Sequence, residues 1–354
     1  MMPVMGEQTA VRFGLVGYGF GGRYFHAPLL AAAPGVDFLG VVTTSPERRA
    51  LVAAEHPTAG CFDSLEALVE AGAEAVAIST PADTHIPLTD RALDLGLAVV
   101  CDKPFALDAE AALASVERAE AAGLALSPYQ NRRWDSDFLT VRRLVAEGAL
   151  GEVRTFESRF ERLDAGDGPG AAGGGTLRDF GSHLVDQALV LLGPVAQVVA
   201  RWSLRDSGLD DDVLVVLDHV SGARSVLGGS WRQGAPGPRF RVTGSAASYV
   251  VGTGVVGDGM GAMDGQEFAL LAGTSPADSD WGTEPEPAWG RLHRGSGSEP
   301  VPSERGRWDT FYPAFAAAVR GRGEVPVPAR DAVATARVLD AARRSATGGG
   351  TITL

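Results

Sequence analysis

A chain of 354 residues, 45% of them hydrophobic, is long enough to bury two cores of ordinary size. Acidic side chains (44) outnumber basic ones (31), giving a formal net charge of −13 with no basic tract to offset it, so the surface repels nucleic acid and anionic membrane, and an anionic ligand needs a local site of backbone amides or a few arginines. Cys61 and Cys101 are too few for a disulfide scaffold and lack metal-ligand spacing, and MMPVMGEQTA has no basic n-region; a reducing cytoplasm, with no signal peptide and no membrane span, is the expected setting.

Strand-like and helix-like stretches alternate to about residue 126. VRFGLVG reads as a first strand handing over to an apolar helix from Tyr24; VDFLGVVTT, AEAVAIST, LAVVCDK and LALSPYQ read as further strands. Helices are expected after SPERR, over SLEALVEAG, HIPLTDRALDLG and DAEAALASVERAEAAG, with Ser64 and Asp108 as caps and Gly72, Gly96 and Gly123 as stops. Continuous apolar strands separated by helices predict a parallel sheet covered on both faces.

From about Asn131 the texture changes. DFLTVRRLVAEGAL is an amphipathic helix, GEVRTFESRFER alternates as a half-exposed strand does, and DAGDGPGAAGGGT runs into a helix beginning near Asp179. AQVVARWSLR, DVLVVLDHV, GARSVLGGSW, PRFRVTGSA and ASYVVGT follow as short strands with tight links, which predicts a large, mostly antiparallel sheet. Residues 273–307, rich in Gly, Ser, Pro and acidic residues, read as a long loop, a lid or mobile arm. Two helical stretches, TFYPAFAAAVRG and ARDAVATARVLDAARRSA, and an edge strand in TITL complete the chain. The expected division is a doubly wound, Rossmann-type domain over 1–126 and a second domain over 127–354, the final helix packing back toward the first.

Five glycines fall within nine residues at the end of the first strand, and Gly17, Gly19 and Gly22 satisfy G-x-G-x-x-G with a strand before them and a helix after. Gly17 suits the tight turn, Gly19 the close approach of a diphosphate and Gly22 the packing of helix on strand, the phosphate charge resting on helix-terminal amides. The intervening Tyr18, Phe20 and Gly21 belong to the same cofactor loop. At the end of the second strand stand Thr43, Thr44 and Ser45, with Arg48 and Arg49 just beyond. No carboxylate there repels a 2'-phosphate and guanidinium groups are near enough to pair with one, which favours NADP over NAD.

DFGSHLVDQ places Asp179, His183 and Asp186 on one helical face. A carboxylate one turn from an imidazole can hold its tautomer and steady the imidazolium, making His183 a candidate general base or acid. No HExxH and no cysteine cluster accompany them, and hydride transfer has no need of a metal; none is expected. Asp102 ends a predicted parallel strand, and Lys103 just outside it is placed to hydrogen-bond a reacting oxygen.

The segments GYGFGGRYFHAP, STPADTHIPL, CDKP, YQNRRWDSDFLTV and GGGTLRDFGSHLVDQALVLLG, spread over nearly the whole chain, resemble the Gfo/Idh/MocA oxidoreductases. FHAPL, NRRWD and DGQE are similar to the NADP-dependent scyllo-inositol dehydrogenase branch of that family. The resemblance implies an N-terminal dinucleotide-binding domain, a C-terminal α/β domain with an open sheet that forms a homodimer or homotetramer contact, and catalytic Lys103, Asp179 and His183. It further implies that Ser79, Thr80, Pro81, His85 and Asp102 line the nicotinamide end of the cofactor, and that Asn131, Arg133 and Trp134 lie beside cofactor or substrate. Arg162, Asp264 and Gln266 are then the polar candidates for sugar hydroxyls, since Phe160 has none to offer. Two departures stand out: D-K-P replaces E-K-P, and Ser45 occupies a place where relatives of that branch carry an arginine.

The expected activity is therefore hydride transfer between NADP or NAD and a hydroxyl or keto carbon of a cyclic polyol or sugar. The alternatives are a non-catalytic dinucleotide-binding sensor or structural protein, for which the glycine loop alone would suffice, and a metal-dependent lyase or hydrolase.

Overall fold

The computed structural model describes residues 10–163, 170–252 and 265–354. β1 (Val11–Val16), β2 (Val36–Val42), β3 (Gly60–Phe62), β4 (Ala75–Ile78), β5 (Ala98–Cys101) and β6 (Leu126–Pro128) lie in the order β3-β2-β1-β4-β5-β6, every pair parallel. Every residue of β4 and β5 is buried, the physical reason these strands read as unbroken apolar runs. The strand order reverses between β1 and β4, so a crevice opens at their carboxyl ends, the place where such sheets take ligands. The expected caps are made: the Ala67 amide donates to Ser64 Oγ (3.2 Å) and the Ala111 amide to Asp108 Oδ1 (2.8 Å). β6 straddles residue 126, and the first sheet ends at Pro128.

The first helix differs from expectation. Helical turns begin at Gly21, in a widened π-type turn Gly21–His26 whose close is the Ala27 amide donating to the Gly22 carbonyl, before the α-helix Ala27–Ala32.

The second sheet comprises β7 (Val153–Glu161), β8 (Val195–Leu204), β9 (Asp210–His219), β10 (Arg224–Ser230), β11 (Phe240–Gly244), β12 (Ser248–Val251), β13 (Gly290–Arg294), β14 (Gly297–Val301) and β15 (Ile352–Thr353). Their order is β14-β13-β12-β11-β7-β10-β9-β8-β15, antiparallel except where β7 meets β10. Val213, Val215 and Leu217 of β9 point into a core beneath the helices Thr176–Leu192 and Ala329–Gly348, while Leu214 between them is exposed. The stretch 273–307 is not the single loop its composition suggested: it carries β13 and β14, which extend the sheet by pairing onto β12. These are polar strands, β14 forming the edge of the sheet, with only Gly290, Leu292 and Val301 buried, so the alternation is too sparse to see in sequence.

C-terminal segments cover both faces of the first sheet. Phe13 of β1 meets Tyr312 and Phe315 edge-on at 5.4 and 5.9 Å, and on the other face Ala332, Val333 and Ala336 of the last helix join the core of the parallel sheet. Val338, Leu339, Ala341 and Ala342 of the same helix belong to the core of the second sheet, so one helix fixes the two units across the cleft. Among the described residues no helix is long and apolar enough to cross a membrane.

Candidate active site

The glycine loop at the end of β1 has the geometry of a phosphate cradle. Gly17 takes φ +94°, and a Cβ there would lie 2.2 Å from the Ser79 carbonyl; a Cβ on Gly22 would lie 2.2 Å from the Gly17 carbonyl. At Gly19 an added Cβ would meet nothing within 4 Å, so the main chain borders open space. Tight turn, open approach and close helix packing thus fall on the three glycines in that order, and the donor set, amides opening a helix, suits a diphosphate. Tyr18 turns away: it is buried and its hydroxyl donates to Glu55 at 2.8 Å. Phe20 stands largely exposed at the mouth of the cleft.

At the end of β2, Thr43 is buried, Thr44 and Arg48 are exposed, and Ser45 caps the helix Pro46–Glu55 by accepting from the Arg48 amide at 3.3 Å. Arg49 is committed to the Thr43 carbonyl (3.0 Å) and to Asp63 (2.5 Å). The Arg48 guanidinium makes no ion pair among the described residues and is left facing solvent beside the strand end.

Behind the cradle, the ends of β4 and β5 are tied together. Asp102 accepts from Ser79 Oγ at 3.0 Å and from the Lys103 amide at 2.8 Å, and its Oδ2 lies 3.3 Å from Nε2 of the fully buried His26, whose Nδ1 is 2.5 Å from the Tyr312 hydroxyl. Burial pushes the Asp102 carboxyl up, but His26, Lys103 and His85 outweigh it and hold it well below the usual carboxylate range. The shorter side chain of D-K-P therefore still reaches a full set of partners. His85 bridges the Pro104 carbonyl (2.7 Å) and the Thr80 carbonyl (2.8 Å). Two carbonyl partners require both ring nitrogens to donate. Burial opposes that charge, yet Cys101, Asp102 and the Pro104 carbonyl push the imidazole up to about 9. His85 is a staple joining the loops around Pro81 and Pro104, with both nitrogens occupied.

The cleft between the two sheets holds a cavity of about 310 Å³. Lys103 enters it from the end of β5, and its Nζ forms an ion pair with Asp179 from the first turn of the helix Thr176–Leu192. His183 lines the same cavity one turn along, buried, with no hydrogen-bond partner for Nδ1 among the described residues and its ring nearly parallel to that of Phe160 at 6.3 Å. Burial, then Lys103, Arg132, Arg239 and Arg162, hold this imidazole well below its ordinary value, so it is neutral at pH 7. Neither carboxylate on its helix face holds it. Asp179 goes to Lys103, and Asp186 accepts a two-pronged bond from Arg133 at 2.7 and 2.6 Å.

Of the other expected residues, Asn131 and Arg162 line the cavity. Arg133 does not, being buried between Asp186 and Asp331 (2.9 Å). Trp134 packs edge-on against Phe311 at 5.7 Å, and Gln266 is buried, donating to the Trp134 carbonyl (3.1 Å) and accepting from the Trp308 amide (2.8 Å). Asp264 lies outside the described residues. Seven lining residues carry no mark in the sequence analysis: Phe25, Tyr129, Arg132, Phe180, Trp231, Glu267 and Trp308. Glu267 had a usable signal, since it precedes Leu270 by three residues in DGQEFALL and so shares that leucine's inward helical face. Among the described residues no group of three or more His, Cys, Asp or Glu could hold a metal ion.

Residues 11–130 match the oxidoreductase family with an NAD-binding Rossmann fold, and residues 138–250 match the GFO/IDH/MocA C-terminal domain. The chain is 36% identical to the uncharacterized oxidoreductase YdgJ of Escherichia coli, over 95% of this chain and 96% of that one. It is 31% identical to the NADP(+) scyllo-inositol 2-dehydrogenase IolW of Bacillus subtilis, over 95% and 93%. The solved structure of the oxidoreductase YvaA from Bacillus subtilis superposes with a TM-score of 0.88 at 31% identity, covering 98% of this chain and 100% of that one. With its cradle for NAD or NADP at the switch point of a parallel sheet and its second, largely antiparallel sheet across the cleft, the chain belongs to the Gfo/Idh/MocA family of NAD(P)-dependent oxidoreductases.

Proposed function

We propose that this oxidoreductase transfers a hydride between nicotinamide and a hydroxyl or keto carbon of a cyclic polyol or sugar, inositol-like or a keto-sugar, with Lys103, Asp179 and His183 as its catalytic residues. The observation that carries the reading is the meeting of Lys103 and Asp179, one from each sheet unit, on the wall of a cavity that a neutral His183 also lines. The printed activity of the relative IolW, scyllo-inositol 2-dehydrogenase, supports the substrate class.

When bound, the nicotinamide supplies the acceptor or donor of the hydride. Gly17, Gly19 and Gly22 hold the diphosphate against helix-opening amides, and Ser79, Asp102 and Asn131 border the reacting end. In the oxidation direction the His183 imidazole takes the hydroxyl proton; its low proton affinity at rest leaves it free to do so at pH 7. The Lys103 ammonium donates a hydrogen bond to the same oxygen and favours its developing negative charge, while Asp179 fixes the ammonium in place. Reduction runs these proton movements backwards. Arg48, solvent-facing with no carboxylate at the strand end, pairs with a 2'-phosphate and favours NADP. We further assign cofactor binding to residues 1–126 and substrate binding to 127–354, with a homodimer or homotetramer contact through the open face of the second sheet, in the cytoplasm.

The test is a panel of inositols, aldoses and keto-sugars with NADP and NAD, followed by absorbance of the reduced nicotinamide. Turnover of at least one cyclic polyol or sugar, faster with NADP, is expected; no turnover across the panel with either cofactor overturns the reading.

A further inference from the structure

The cavity that Lys103 and Asp179 line also carries a second polar group that the proton transfer does not use. Glu267 comes from the helix Gly265–Leu271, Arg132 from the short turn Asn131–Trp134, and Arg162 directly follows β7. Glu267 Oε2 accepts from Arg132 at 2.5 Å, and Arg132 also reaches Asp135 at 3.2 Å. The other oxygen, Oε1, is 3.5 Å from Arg162, the outer limit of a hydrogen bond. Both guanidiniums lie over the Phe160 ring, at 4.7 and 5.1 Å, and Arg162 lies 5.7 Å from the ring centre of Trp231. An ionised carboxylate can accept about four hydrogen bonds, and a contact of this length opens easily to admit a hydroxyl that donates to the carboxylate while a neighbouring hydroxyl accepts from the guanidinium.

Charge points the same way. Among the described residues lining the cavity, Lys103, Arg132 and Arg162 face Asp102, Asp179 and Glu267, three cations against three anions. Such a lining has hydrogen-bonding groups for hydroxyls and no surplus cation for a substrate carboxylate, which would meet Glu267 as a like charge.

We propose that Glu267 and Arg162 form a hydroxyl-reading pair that selects neutral polyols with adjacent hydroxyl groups and rejects their carboxylated counterparts; this rests on the polyol reading above. The test uses the full-length enzyme with its best polyol substrate, and D-glucose and D-glucuronate as a neutral and an acidic inhibitor of the same size. In Glu267→Gln the KM for the polyol is expected to rise about tenfold with a smaller fall in kcat, the mark of binding lost in ground and transition state alike. Inhibition by glucuronate relative to glucose should strengthen about tenfold. An unchanged KM, or an unchanged ratio of the two inhibition constants, overturns the proposal. NADPH binding followed by fluorescence reports whether the variant is folded. Should it not be, Arg162→Gln serves: a raised polyol KM with a weakened relative grip on glucuronate supports the pair, and wild-type values for both overturn it. Absence of polyol turnover by the wild-type enzyme is a separate result, and takes down the reading beneath.

Discussion

Two ion pairs hang from one helix. Asp179, in the first turn of Thr176–Leu192, meets Lys103 with the two side chains 22% and 21% exposed; Asp186, two turns on, meets Arg133 with the two 3% and 10% exposed. The chemistry is the same, a carboxylate on a cation from another segment of the chain, and depth separates the two. In the proposed mechanism a substrate oxygen shares the ammonium of the outer pair. The inner pair is closed off, reinforced by Asp331, and acts as a brace between three segments. Burial pushes the Asp186 carboxyl up, and the two-pronged Arg133 is what lets a charge persist there.

If that division holds, damage at the two pairs should separate cleanly. His183→Ala, beside the outer pair, should lower kcat by roughly 10²–10⁴-fold, the usual worth of a positioned acid or base, and Lys103→Met should do comparable harm. Cofactor affinity measured by nicotinamide fluorescence should stay within a few fold in both; wild-type rates in both would remove the catalytic assignment. Arg133→Ala should do the opposite, lowering unfolding free energy in urea by about 3–5 kcal/mol because the buried Asp186 loses its ion-pair and hydrogen-bond partner. The folded fraction should keep near-normal kcat. A stable but inactive Arg133 variant would erase the distinction between the pairs.

The histidines sharpen it further through pH. His183 is held below its ordinary value, so its proton is taken up only as pH falls below about 6.5 in the unfolded chain and lower still in the folded one. The acid limb of kcat/KM should accordingly lie below pH 6.5, and stability should decline there rather than above. His85 has the reverse sign. Raised to about 9, it contributes stability fully present below pH 6.5 and lost as pH climbs through about 9. The urea midpoint should fall across that window in the wild-type protein and fall less in His85→Gln. Smallest of all, Arg48→Gln should raise KM for NADP by roughly three- to tenfold, in keeping with one exposed charged contact, and leave KM for NAD nearly unchanged. Equal shifts for both cofactors would take Arg48 out of the ribose pocket.

Much of this was legible in the chain. The parallel sheet declared itself through apolar runs such as AVAI and AVVC, and the cradle through three glycines whose spacing answers to backbone sterics alone. Lys103, Asp179 and His183 could be marked because each sits at a fixed offset from a strand end or on one helical turn. Others escaped for identifiable reasons. β13 and β14, at the end of the second sheet, have too few buried positions to show a period of two. Arg133 stands beside Arg132 in NRRW, and nothing local says that one faces the cavity and the other a buried carboxylate. Gln266 and Glu267 divide in the same way, the amide holding main-chain groups together and the carboxylate facing the cleft.

The sequence by itself determined which elements form and which residue types could bind phosphate or carry a proton, because helix and strand periods, caps and glycine turns act over a few residues. Only the tertiary structure decided the partners: Asp179 with Lys103 rather than with His183, His85 between two carbonyls, Glu267 between two arginines. Pairing of charges across 76 to 135 residues of chain depends on how two sheets and a shared helix pack, and that packing follows from the summed burial of whole faces, which no single segment encodes.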